Sequence, residues 1–315
     1  MTIQDIYNLA IKLGITSDPR GKSGVEKSLM RVKKEFQELP KGKQADFDLE
    51  SLTNPYADSR ILFGDQKIKV KKILVGVDIG VGEVLLADRL GNFDLILGHH
   101  PHGGALSSLH EVMELQIDLL STYGVPVNAA YHLMEERVGE VQRRFSSLNH
   151  YQSVDAARLL NIPFMCIHTP ADNSGWRYLS DHLEKKTYHA VGEVVDEINK
   201  IEEFKIANPL KTGPSIFYGS SNARAGNVRV VEFTGGTEGA KEMYERLSHA
   251  GVGTIIGMHV SEEHRKEAKK HHMNLVVTGH MASDSLGMNM LLDELEKKGI
   301  QAIPCSGLIR VTRNV

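Results

Sequence analysis

Cysteine is almost absent from this chain of 315 residues: Cys166 and Cys305 are its only two, far apart and in no CxxC pair. That excludes a disulfide framework and a cysteine-built zinc site, and two isolated thiols suit a reducing, cytoplasmic setting. Long hydrophobic runs are missing too. No stretch approaches the ~18 apolar residues that a membrane span needs. The opening "MTIQDIYNLAIKLGI" has neither the basic start nor the unbroken apolar centre of a signal peptide. Net charge is small, at -3, which removes any global electrostatic reason to expect nucleic acid or an anionic membrane as partner. Lys67, Lys69, Lys71 and Lys72 alternate as the solvated side of a strand and its lead-in would.

Several catalytic signatures are also missing. There is no GxSxG elbow, no phosphate loop with its lysine and no Cys–His pair in a workable order. The glycines of "GVDIGVGE" are wrongly spaced for a dinucleotide loop. "TGGTEGA", Thr234 to Ala240, follows an apolar run and precedes helical periodicity, so it reads either as an anion cradle of backbone N–H groups or as a tight turn.

What is present is an ordinary globular composition, 41% hydrophobic and 24% charged, on a chain long enough for about two domains. Thr2 and Asp5 form a capping box for a first helix whose apolar face carries Ile3, Ile6, Ala10 and Leu13. Short runs rich in Val and Ile then recur as predicted strands: Ile73 to Ile79, Asp94 to Gly98, Val125 to Tyr131 and Phe164 to His168, then Val228 to Gly235, Gly253 to Met258, Asn274 to His280 and Gln301 to Cys305. Helical periodicity lies between them, near Glu83 to Leu90, Leu109 to Thr122, Lys241 to His249, Glu262 to His271 and Ser285 to Lys298. Strand, helix, strand, repeated twice, indicates an α/β fold with two sheets covered by helices. The division is residues 1–170, a connector over 171–226 with a short helix at Glu193 to Phe204 and a turn-rich end, and residues 227–315.

Histidine is plentiful, with 15 residues, and two of them end an apolar run in "LILGHHPHGG". In α/β proteins ligands collect at the C-terminal ends of strands, where His99 and His100 stand. Neighbours in a regular strand face opposite ways, so both serve one site only where the strand has broken. Pro101 biases His100 toward an extended geometry beyond the sheet. The competing reading is two unrelated histidines, one in the core and one exposed.

A histidine and a carboxylate four residues apart share a helix face, the spacing of helical metal pairs. It occurs at His110/Glu114, His132/Glu136, His168/Asp172, His189/Glu193, His259/Glu263 and His280/Asp284, whereas 15 histidines and 40 acids in 315 residues give about two by chance. Spacing alone therefore selects nothing; position does. His132 follows "VPVNAAY" and His280 follows "NLVVTG", each the end of an apolar run. His168 is similarly placed, but Pro170 stands where a helix over His168 to Asp172 would run, and that pair is set aside. The other pairs lie in or beside polar helical segments and read as solvated faces. The candidate metal ligands are then His99, His100, His132, Glu136, His280 and Asp284. Nitrogen and oxygen donors without thiolate suit Zn, Fe or Mn, and six donors are enough for two divalent metal ions sharing a carboxylate. His102 and His259 remain as outer partners or proton-transfer groups, against a surface or capping role.

In order along the chain, "NPYADSRILFGD", "ILVGVDIG", "DLILGHHPHGG", "NAAYHLMEERVG" and "VVTGHMASDSLGMNMLLDELEKKG" resemble the motifs of the NIF-three-like proteins, also called GTP cyclohydrolase I type 2. The resemblance runs from about Asn54 to Gly307. It implies two related α/β sandwich domains with a dinuclear metal site between them, and a toroidal homohexamer whose sites face an inner cavity. The paired histidines of the family's HHP fall on His99 and His100, its H-x-x-x-D on His132 and Glu136, and its final GH-x-x-x-E on His280 and Asp284. Two acids thus depart from the pattern by one methylene each. The implied function is a metal-dependent hydrolase that activates a water for attack on a C=N or ester-type centre, with a purine nucleotide as substrate in the cyclohydrolase case. A metal buffer or a ring scaffold without turnover is the alternative.

Overall fold

The computed structural model describes residues 1–313. Nine strands form two sheets: β1 (Arg60–Phe63), β2 (Lys72–Gly76), β3 (Leu95–Gly98), β4 (Phe164–Cys166) and β9 (Gln301–Cys305) in one, and β5 (Ser215–Tyr218), β6 (Asn227–Glu232), β7 (Val252–Gly257) and β8 (Asn274–Val277) in the other. The first has the order β1-β4-β3-β2-β9 and the second β5-β8-β7-β6. Each has the same plan, parallel strands closed on one edge by an antiparallel one, β1 beside β4 and β5 beside β8. The all-apolar runs are the reason: β3 and β4 are buried at every residue, as strands covered by helices on both faces must be. The fold is the expected α/β type with two sheets. Among the described residues no helix is long and apolar enough to cross a membrane.

Three segments differ from the sequence expectation. Val125 to Tyr131 is not a strand: Pro126 caps the helix Val127–Ser146, whose buried Ala130, Met134 and Val141 recur at helical spacing. A short apolar run was outweighed by the longer 3.6-residue period. Residues 171–226, expected as a connector, hold most of the buried helix Thr169–Leu183, the helices Val191–Ile198 and Glu202–Ala207, and β5. Pro170 does not prevent the first of these, because it falls in the first turn, where a missing N–H costs no intrahelical bond. The final strand, β9, pairs with β2 and so returns the chain to the first sheet.

Two helices connect the cores. In His280–Lys297, Ala282 and Leu286 pack into the core of the second sheet, while Met288, Leu291, Leu292 and Leu295 pack into that of the first. In Thr169–Leu183, Trp176, Leu179 and Leu183 join the former and Ala171 the latter. The pair crosses closely where side chains are absent. A Cβ on Gly287 would lie 2.2 Å from the Ala171 carbonyl oxygen, so only glycine permits this approach. It brings the N-terminal ends of both helices, with Asp172 and Asp284, together.

Candidate metal centre

The end of β3 delivers the first two histidines. Its ladder continues just past the strand, His99 N–H donating to the Gly76 carbonyl and His100 N–H to that of Val77, both at 3.0 Å. Beside it, Ile167 N–H donates to the Gly98 carbonyl at 2.9 Å, which sets Ile167 level with His99 and His168 one residue beyond it. From the second sheet, β8 turns into the helix His280–Lys297 through Gly279, at φ +99°, where a Cβ would lie 1.9 Å from the Thr212 carbonyl oxygen. His280 and Asp284 then stand one turn apart on one face at the start of that helix, and Asp172 stands in the first turn of the crossing helix.

The side chains converge. Ring centroids are 5.2 Å apart for His99 and His100, 4.9 Å for His99 and His168, and 5.2 Å for His100 and His280. Asp284 lies among them: its Oδ1 is 3.6 Å from His99 Nε2, and its Oδ2 is 3.5 Å from His100 Nε2 and 3.4 Å from His280 Nε2. Asp172 faces it, Oδ1 3.3 Å from His99 Nε2 and Oδ2 3.6 Å from His168 Nε2. Three overlapping groups have donor atoms close enough to share an ion: His99, His100 and His168; His100, His280 and Asp284; His99, Asp172 and Asp284.

Outer partners fix three of the rings. His99 Nδ1 donates to the Ile167 carbonyl at 3.0 Å, His100 Nδ1 to Asp78 at 2.6 Å and His168 Nδ1 to Asp58 at 2.8 Å. Because each acceptor is an oxygen, the proton sits on Nδ1 and the Nε2 lone pair is left for the cluster, the arrangement that metal-ligating histidines adopt. Asp58 is itself held, accepting from the Thr169 hydroxyl at 2.6 Å.

Electrostatics follow from this crowding. Burial opposes charge on His99, but Asp284 and Asp172 outweigh it and hold its pKa well above the ordinary value. Burial likewise opposes charge on His100, yet the neighbouring Asp284 carboxylate and the hydrogen bond with Asp78 bring its pKa up to about 9. His280 is pushed down to about 4, chiefly by burial. Asp284 is kept well below the carboxylate range by the facing His99 and His100, against the effect of burial. Even so, His99 Nε2, Asp172 Oδ1 and both oxygens of Asp284 are buried without a hydrogen-bond partner. Such atoms are rare and costly in native proteins. A divalent cation among them would satisfy all four, and the nitrogen and oxygen donor set fits Zn, Fe or Mn.

The cluster opens on a cleft of about 390 Å³ that His100, His168, Asp172 and His280 line at one end. The opposite wall comes from the second sheet, with Glu232, Phe233, Thr234, Glu238, Met258 and His259. His259 Nδ1 lies 3.3 Å from Glu238 Oε1, and its ring is 4.5 Å from that of His280. His102 also lines the cleft, its pKa lowered by burial. "TGGTEGA" is a turn here: Gly235 and Gly236 both have φ of +87°, Gln116 donates to the Gly235 and Thr237 carbonyls, and the next helix begins only at Met243.

Of the sequence-selected ligands, the structure brings together His99, His100, His280 and Asp284. It does not bring in His132 and Glu136, which are exposed on the helix Val127–Ser146 and line a different cleft with Lys241 and Glu263. His168 and Asp172 take the place beside His99 instead. The signal was in the sequence, since His168 ends an apolar run and "HTPAD" is itself an H-x-x-x-D pattern with an aspartate at its end. The outer partners Asp58 and Asp78 carried no such signal.

No protein-family model and no curated protein matches the chain. Among solved structures it is similar to a NIF3 superfamily protein from Sphaerobacter thermophilus, with 30% identity and a TM-score of 0.73 over 80% of this chain and 92% of that one. More distant are the reduced HcgD of Methanocaldococcus jannaschii, 12% identical with a TM-score of 0.48 over 88% and 96% of the two chains, and a NIF3-related protein of Bacillus cereus, 10% identical with a TM-score of 0.44 over 91% and 98%.

Proposed function

This chain belongs to the NIF3 superfamily, and on that premise we propose that it is a metal-dependent hydrolase with a two-ion centre acting on a C=N or ester-type bond. His99, His168, Asp172 and Asp284 would hold one ion, and His100, His280 and Asp284 the second. The observation that carries this reading is the set of four buried, unpartnered donor atoms, two of them on Asp284, whose oxygens face different histidines. When bound, divalent ions at such a centre supply Lewis-acid polarisation and a nucleophile from water near neutral pH. The residues of the chain do the rest. Asp58, Asp78 and the Ile167 carbonyl keep three imidazoles aimed, the cleft walls restrict bulk water, and His259, backed by Glu238, offers its other ring nitrogen for a hydrogen bond to a leaving group.

The cyclohydrolase activity implied by the sequence resemblance is one case of this chemistry. It is tested by incubating the protein, reconstituted in turn with Zn, Fe and Mn, with GTP and with a panel of esters and cyclic amidines. Turnover of any member that is lost on metal removal and in Asp284→Ala supports the hydrolase. Full metal loading without turnover of any member contradicts it. A cytoplasmic setting and a toroidal homohexamer complete the proposal. The free thiols Cys166 and Cys305 suit the former, and the helix Val81–Leu90, with Val81, Leu85, Leu86 and Leu90 exposed, offers an apolar face for the latter. Light scattering at six times the 34.9 kDa of one chain is the expected result for the assembly.

A further inference from the structure

The cleft has a composition that restricts what can enter it. Among the described residues that line it there is no lysine and no arginine, while Asp78, Glu232 and Glu238 supply carboxylates away from Asp172. Glu232 and Glu238 flank the Thr234–Thr237 turn on both sides. Glu232 takes the Gly239 N–H at 3.1 Å and leaves its Oε1 buried without a hydrogen bond, 3.7 Å from His264 Nε2, so this glycine turn is bracketed by acids. Between the cluster and this turn the wall is apolar, built from Leu106, Leu109, Phe145, Phe233 and Met258. Leu109, Phe233 and Met258 are buried and held by the core, whereas Leu106 and Phe145 are only partly buried and present their surface to the cleft.

We infer that this cleft takes an uncharged or cationic small molecule with an apolar, ring-sized body laid on Leu106 and Phe145, and excludes nucleoside polyphosphates. The inference rests on the two-ion reading above, since the reacting end of the molecule is placed at the His99–Asp284 cluster. It departs from the GTP case. A polyphosphate chain leading away from the ions would meet Glu232 and Glu238, whose neighbouring imidazoles, His259 and His264, already face these acids, with no lysine or arginine among the described lining residues to pair with, and like charges brought together in a partly desolvated cleft are strongly unfavourable. A ring of benzene size, in contrast, gains from covering the apolar wall, on the order of 10- to 100-fold in affinity over a methyl group in the same place.

The test compares two probes that share one metal-binding group, acetohydroxamate and benzohydroxamate, titrated calorimetrically into the Zn-loaded protein. The expected result is benzohydroxamate binding roughly 10- to 100-fold more tightly. That preference should shrink in Phe145→Ala and in Leu106→Ala, while acetohydroxamate affinity and Zn content stay unchanged, and millimolar GTP should leave the benzohydroxamate isotherm as it was. Equal affinity for the two probes overturns the apolar-wall inference and leaves the metal centre standing. Displacement of benzohydroxamate by GTP overturns the exclusion of polyphosphates. Binding of neither probe because the protein retains no Zn on reconstitution overturns the two-ion reading and this inference with it, and Zn content measured on the same sample tells this failure from that of the apolar wall alone.

Discussion

His280/Asp284 and His132/Glu136 have the same spacing, each a histidine and an acid one helical turn apart, yet they have different surroundings. Asp284 is buried with both oxygens unpartnered, facing three imidazoles, and His280 sits at the point where β8 passes into its helix. His132 is exposed over 75% of its side chain, with Glu135 at 3.8 Å as its charged neighbour and the Tyr131 ring beside it. A pair in water satisfies itself with solvent and is worth a few tenths of a kcal/mol. A buried pair that lacks partners needs something to bind. The difference therefore lies in what converges from elsewhere in the chain, here the ends of β3 and β4 and the crossing helix Thr169–Leu183.

The sharpest break in that comparison is Asp284→Ala, which removes the carboxylate shared by both proposed ions. Metal affinity should fall by more than the ~10- to 100-fold that losing an outer partner costs, read by equilibrium dialysis. Asp58→Asn comes next. It keeps the shape but weakens the acceptor behind His168 Nδ1, so affinity for one ion should drop by about 10- to 100-fold while the other is retained.

The metal-free protein should also show a pH signature confined to the buried cluster. The folded-state pKa of His100 is raised from 6.5 to about 9, so its charged form contributes stability that is fully present below pH 6.5 and is lost as pH rises through about 9. Thermal melts of the stripped protein should accordingly fall across that window. Metal affinity should rise across it, because ions compete with those protons. The smallest effect belongs to the exposed pair: His132→Ala and Glu136→Ala should each change stability by no more than about 0.5 kcal/mol and leave metal content untouched. A metal-content change in either would erase the contrast drawn above.

Much of this was legible in the sequence. The strand runs around Ile73, Leu95, Asn274 and Gln301 stand where their apolar patterns put them, and so does the capping box of Thr2 and Asp5. His99, His100, His280 and Asp284 were identified by lying at or just beyond strand ends, which is a local property. His168 and Asp172 are obscured for a local reason as well: proline breaks a helix interior but is tolerated in a first turn, and the local sequence does not say which turn Pro170 occupies. His132 and Glu136 mislead because the apolar start of the helix Val127–Ser146 has the pattern of a strand, whose end would be a ligand position. Asp58 and Asp78 lie inside two of the motifs that carry the resemblance, but their part is not legible there, since each acts through the histidine that the fold brings beside it, 110 and 22 residues away along the chain.

The most direct test of the two-ion centre is the number of metal ions per chain, measured by mass spectrometry on untagged protein and on its His168→Ala and His132→Ala variants after identical reconstitution. Two ions in the wild type and in His132→Ala, with one in His168→Ala, is the expected result. Retention of both ions in His168→Ala together with loss in His132→Ala, or a wild type that takes up none of Zn, Fe or Mn, would contradict it.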